Sequence, residues 1–104
     1  MNKIYLSFFV LTLLVNSSCS QETGVFALAE SEPIETSGDA ADDPALIINF
    51  KNPRSSLFFG TDKTAGVYLY DFKGVKQSFS PLGAINNIDV RQQNSEIYLA
   101  ATNR

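Results

Sequence analysis

The 104-residue sequence has no histidine, no tryptophan and only one cysteine. Without histidine there is no imidazole to serve as nucleophile or general base, and no His-ligated zinc site. A lone cysteine, Cys19, excludes an internal disulfide and any cysteine-cluster metal site. Long apolar runs are missing too: the stretch Ile4–Val15 covers 12 residues, too few to cross a bilayer as a helix. Positive charge is absent from one whole region. Residues 20–43 carry seven acids (Glu22, Glu30, Glu32, Glu35, Asp39, Asp42, Asp43) and no base, whereas residues 44–104 carry seven bases against four acids (Asp62, Asp71, Asp89, Glu96). An acidic leader ahead of a mildly basic region suits a cation site beside an anion site. For Glu22–Glu35 a solvated linker is the preferred reading.

What is present fits one small domain: 44% hydrophobic and 18% charged residues are not a disordered composition. The chain is organised around Gly38-Asp39-Ala40-Ala41-Asp42-Asp43-Pro44, which packs three carboxylates into the six positions Asp39–Pro44 and runs directly into Ala45-Leu46-Ile47-Ile48. Neighbouring carboxylates at a strand mouth repel unless a positive charge sits between them. A hard cation such as Ca²⁺, which takes carboxylate and backbone carbonyl oxygens, is the natural candidate. A helix capped by Asp43 with Pro44 in its first turn is the other reading. The short apolar run with two adjacent isoleucines, ending near Pro53, favours a strand.

Residues 1–19 read as an export signal: Lys3, the apolar core Ile4–Val15, then Asn16-Ser17-Ser18-Cys19. The last four residues resemble the lipobox of bacterial lipoproteins, in which the cysteine is lipidated and becomes the N-terminus. Asn16 stands where an aliphatic residue is usual, and an ordinary secretory signal with an incidental cysteine is the alternative. The chain is therefore expected to be exported, and anchored to a bacterial envelope membrane by lipid on Cys19. Residues 20–37, acidic and rich in Ser and Glu, are expected to be a mobile tether.

Residues 38–104 read as sheet. Strands are expected over Ala45–Phe50, Ser56–Thr61, Gly66–Phe72, Val75–Phe79, Asn87–Arg91 and Glu96–Ala101, with a tight turn at Phe72-Lys73-Gly74-Val75. Several are apolar on both faces, notably Val67–Tyr70, as where sheet stacks on sheet. The second half also echoes the first. Asp42-Asp43-Pro44 corresponds to Asn86-Asn87-Ile88 at an offset of 44, and Thr61-Asp62-Lys63 to Thr102-Asn103-Arg104 at an offset of 41. A period of about 40–45 residues is that of four-stranded propeller blades. Coincidence among short polar turns is the competing explanation.

Gly38–Ala45, Gly60-Thr61-Asp62-Lys63, Gly66–Asp71 and Asn86–Arg91 follow one another in an order and spacing that resembles the β-propeller phytases. The resemblance, from Pro33 to Arg104, implies an all-β fold: the first blade and the start of the second blade of a six-bladed propeller. It implies hydrolysis of phosphomonoesters of inositol hexakisphosphate with Ca²⁺. It also implies roles: Asp43, the Pro44 carbonyl and the Ile88 carbonyl for calcium; Lys63 and Arg104 for substrate phosphates. Thr64 stands where a second lysine often follows. Phytate or another polyphosphorylated small molecule is the expected partner, with no nucleic acid. An incomplete propeller should expose two apolar blade faces and have little activity of its own. Two other functions are carried alongside: a surface-anchored propeller that binds without catalysis, and a small structural β-domain.

Overall fold

The computed structural model describes residues 23–104. The expected signal and Cys19 lie outside them. The described residues contain no α-helix and are built from six strands: β1 (Ala41–Ile47), β2 (Leu57–Asp62), β3 (Gly66–Asp71), β4 (Lys76–Ser80), β5 (Ile85–Gln93) and β6 (Glu96–Asn103), with one 3-10 turn at Pro53–Ser55. Strands β1 to β4 form an antiparallel meander in the order β1-β2-β3-β4; β5 and β6 form a separate antiparallel pair. This is one four-stranded propeller blade and the opening hairpin of the next.

The strand reading of the Asp-Asp-Pro region holds, but its limits move. β1 starts at Ala41, not Ala45, so both acids and Pro44 lie inside the strand. A bulge makes this possible. Ala41 is opposite Asp62 and Pro44 opposite Gly60, so Asp42 and Asp43 together face Thr61. Pro44 has no N–H to offer a ladder, and strand prolines are confined to such irregular or edge positions. β1 ends at Ile47, not Phe50, because Asn49 turns the chain: its side-chain oxygen accepts the N–H groups of Lys51 and Asn52 at 3.1 and 2.9 Å. At the β3–β4 turn, Asp71 Oδ1 accepts the N–H groups of Lys73 and Val75 at 2.8 and 3.0 Å.

Both faces of the blade are apolar. On one, Ala45, Phe59 and Val67 pack against Ile85, Ile88 and Val90 of β5, each well-buried aliphatic side chain contributing about 1.5–3 kcal/mol. The opposite face is aromatic. Phe58 stacks on Tyr70 with ring centres 5.0 Å apart, and Tyr68 lies 4.5 Å from Phe79. Val67 and Tyr68, adjacent and on opposite faces, are both buried. Of the apolar side chains expected to stand open, Ile97 and Leu99 of β6 do so on the Val90 side of the hairpin and Tyr98 does so on the other. The aromatic face is covered in part: Tyr68 and Tyr70 are each only 2% exposed, while Leu46 and Phe79 stay about half open.

The internal repeat is written in the hydrogen bonds. Asp43 N–H donates to the Thr61 hydroxyl at 2.8 Å, and Asn87 N–H to the Thr102 hydroxyl at 3.1 Å. Lys63 N–H donates to the Ala40 carbonyl at 2.8 Å, and Arg104 N–H to the Ala84 carbonyl at 3.0 Å. The bulge recurs as well, between Ile85, opposite Asn103, and Ile88, opposite Ala101. Gly38 and Gly83, ahead of the two inner strands, share a φ near +85°, at 82° and 89°. Matching bonds at offsets of 44 and 41 leave no room for coincidence among turns.

Candidate functional site

The site lies at the seam where β1 and β5, the inner strands of the two units, meet. Its centre is Asp43. The bulge takes the Asp43 amide out of the regular ladder and hands it to the Thr61 hydroxyl. Its carboxylate then crosses the seam, where Oδ2 accepts the Ile88 N–H at 2.9 Å. In an extended strand the N–H and C=O of one residue face the same edge, so the Ile88 carbonyl faces the edge that Asp43 approaches. Pro44 is the next residue in β1. The structure therefore brings Asp43, Pro44 and Ile88 together.

Thr61 holds this arrangement. It is 1% exposed, and its hydroxyl, besides accepting from Asp43, donates to the Asn86 carbonyl at 3.0 Å. Two side chains of the first blade thus grip the start of β5, one through an amide and one through a carbonyl. A cleft of about 330 Å³ opens beside them, lined by Asp43, Asn87, Ile88, Asp89, Ala101 and Thr102 among others. Asp43 also lines a smaller cleft of about 180 Å³ on the other side, with Pro44, Phe58 and Tyr70.

Lys63 and Arg104 occupy equivalent places, each just past the second strand of its unit. The Lys63 ammonium is 2.9 Å from the Asp39 carboxylate, which is almost fully exposed. Arg104 Nη2 donates to the Asn86 side-chain oxygen at 2.6 Å. Asn86 therefore links Arg104 to Thr61, and Thr61 to Asp43, whereas Lys63 is tethered at the start of β1 instead.

Reading the sequence missed three contributors. Thr61 and Asn86 were visible only as members of repeated motifs. Asp62 looked like a turn residue and is fully buried. Its Oδ1 accepts the Thr64 N–H at 2.9 Å and the Thr64 hydroxyl at 2.7 Å, while Oδ2 has no hydrogen-bond partner among the described residues. Burial works against its charge, but hydrogen bonding, which the geometry places at the Thr64 amide and hydroxyl, outweighs it and holds the carboxyl below its ordinary 3.8.

The donor set is hard and oxygen-only: a carboxylate, two backbone carbonyls and the nearby Asp89. That chemistry fits a calcium ion better than a softer metal. Among the described residues no three acidic, histidine or cysteine side chains come close enough to hold a metal by themselves.

The sequence matches the protein-family model described as Phytase over residues 4–103. It is also 37% identical over 67 residues to a 3-phytase of Bacillus subtilis (strain 168), an alignment covering 64% of this chain and 18% of that protein. The chain thus spans less than a fifth of the length of that relative. A family match reaching almost from end to end, on a blade-and-a-half of antiparallel sheet, shows that the chain belongs to the phytase family.

Proposed function

We propose that this chain supplies part of a calcium-dependent phytate-hydrolysing site: one corner of a calcium position and two phosphate-binding side chains. The observation that carries the reading is the Asp43 carboxylate reaching across the seam to Ile88, at a bulge that repeats in the second unit. Asp43 and the carbonyls of Pro44 and Ile88 would hold the ion. Bound there, calcium would offset phosphate charge and lower the pKa of a coordinated water.

The chain's own cations do the positioning. The Asp39 partner of Lys63 is 94% exposed, and such pairs cost little to break, so phosphate can take the ammonium. Arg104 offers a planar fork suited to phosphate oxygens, and Asn86 holds it near the seam until then. Among the described residues the cleft holds two carboxylates, Asp43 and Asp89; with Asp43 given to the ion, few groups are left to act on an attacking water. Turnover by this chain alone is not expected. The same shortage favours, as a second reading, a unit that binds calcium and phytate without hydrolysis. Lipid on Cys19 would hold the protein at an envelope membrane.

Calorimetric titration of the full chain with Ca²⁺ tests the calcium position. The expected dissociation constant is on the order of 10⁻⁴–10⁻³ M, the range of open extracellular sites, and Asp43→Asn should weaken it at least tenfold. Lys63→Ala and Arg104→Ala should each weaken binding of inositol hexakisphosphate while leaving Ca²⁺ affinity in place. A wild-type chain with no saturable Ca²⁺ binding would overturn the proposal.

A further inference from the structure

The acidic residues 31–36, which composition alone marks as tether, lie against the aromatic face of the blade. The repeat says what belongs on that face. Pro44 and Leu46 of β1 stand at the positions of Ile88 and Val90 in β5, by the offset of 44. Ile88 and Val90 pack against Ala45, Phe59 and Val67 of the blade before them. The Pro44–Leu46 side of β1–β4 is therefore the side that a preceding blade would cover.

We propose that residues 31–36 form a strap docked on this face, held there by its own set of contacts. Its backbone is tied at two points: Glu32 N–H donates to the Gly74 carbonyl at 2.8 Å, and Glu35 N–H to the Tyr68 hydroxyl at 3.2 Å. Its side chains are tied to β4. Lys76 donates its N–H to Glu32 Oε2 at 2.8 Å, and its ammonium lies 2.9 Å from the Glu35 carboxylate and 5.3 Å above the Tyr68 ring. Ile34 and Ser31 wall the smaller cleft opposite Pro44, Phe58 and Tyr70.

Gly74 marks the close approach. A Cβ there would sit 2.7 Å from Ser31 Cα and closer still to the Glu30 carbonyl oxygen, and its φ of +85° already favours glycine. The cover is partial, which distinguishes a strap from a blade: Leu46 and Phe79 remain 51% and 40% exposed. Just upstream, Val25, Phe26 and Leu28 are almost fully exposed, so the docking begins sharply near residue 30.

Amide hydrogen exchange on the full chain tests the strap. The Glu32 and Glu35 amides should exchange at least tenfold more slowly than those of Phe26 and Leu28. Ile34→Ser, which removes the apolar anchor, and Tyr68→Phe, which removes the acceptor for Glu35, should erase most of that protection. The Ile88 amide, held by Asp43 on the far side of the blade, should keep its own. Equal exchange at Glu32, Glu35, Phe26 and Leu28 in the wild type would overturn the proposal, as would protection that survives both substitutions. Should Tyr68→Phe disturb the sheet itself, Ile34→Ser decides. If Ile88 loses protection along with Glu32 in Ile34→Ser, the segment is no separable strap and the proposal fails.

Discussion

Replacing Thr61 with valine barely changes the shape of the side chain and removes one hydroxyl. That hydroxyl accepts the Asp43 N–H at 2.8 Å and donates to the Asn86 carbonyl at 3.0 Å, in a residue 1% exposed. Valine leaves one donor and one acceptor unpaired, each at about 1–3 kcal/mol when buried. Asp43 and Asn86 are half-buried, so water repairs part of the loss and the lower end applies: about 2–3 kcal/mol for the pair. Thr61→Ser keeps the hydroxyl and loses a methyl, for about 1 kcal/mol. The repeat supplies the control. Thr102 accepts the Asn87 N–H at 3.1 Å, the same bond in the second unit, but both residues are exposed. Water can take the place of that hydroxyl, so Thr102→Val should cost under about 0.5 kcal/mol. Urea unfolding followed by circular dichroism measures all three, with the denaturant slope unchanged between variants if only stability is affected. A Thr61→Val variant as stable as the wild type would refute the reasoning. So would a Thr102→Val variant that loses as much as Thr61→Val, because burial would then not be what sets the cost.

Two further outcomes are expected. Asp62 has its carboxyl held below the ordinary 3.8 in the fold, so the unfolded chain binds its proton first as pH falls. The sign follows: the stabilisation from Asp62 is present above pH 3.8 and is lost as pH drops below it. Asp62→Asn should flatten that acid limb in thermal melts recorded between pH 5 and about 2, and an unchanged limb would assign it to other groups. Separately, the intact mass of the exported chain should carry acyl groups on Cys19, and Cys19→Ser should move the protein from the membrane to the soluble fraction; an unmodified Cys19 at the membrane would rule out the lipid anchor.

Much of the fold was legible because local chemistry and tertiary packing agree. Val67-Tyr68-Leu69-Tyr70 is β-branched and aromatic, and it lies in β3, one of the two central strands of the blade. Asp71 and Gly74 are turn residues, and they make the turn. The repeat was legible because Thr61 and Thr102 each accept the same bond, so both units end their second strand in the same kind of triplet. The start of β1 was not legible: two acids and a proline read as the mouth of a strand or the cap of a helix, and only the Thr61 hydroxyl, eighteen residues on, lets Asp43 sit at a bulge within a strand. The strap was hidden for a similar reason. Glu32 and Glu35 look solvated until Gly74 and Tyr68, more than thirty residues downstream, present a carbonyl and a hydroxyl to their amides. Of the expected site, the meeting of Asp43 with Ile88 was implied by the resemblance to the β-propeller phytases, while the role of Asn86 as a bridge to Arg104 depended on side-chain geometry that no spacing reveals.

The two units differ in one systematic way. Asp42, Asp43 and Asp62 of the first become Asn86, Asn87 and Asn103 in the second, with the backbone bonds around them kept. The backbone bonds around these positions therefore form with either side chain. An ionised carboxylate can only accept hydrogen bonds, whereas an amide also donates, and the structure uses the difference: Asn103 Nδ2 donates to the Leu82 carbonyl at 2.7 Å, a bond no carboxylate could make. At these three positions the first unit thus presents acceptor-only carboxylates and the second presents amides. Asp43→Asn installs the second unit's residue in the first. The amide oxygen can still accept the Ile88 N–H, so the loss in stability should stay near 1 kcal/mol, the gap between a charged and a neutral acceptor. The loss in Ca²⁺ affinity should be at least tenfold. At this one position the need of the fold and that of the proposed calcium ion come apart.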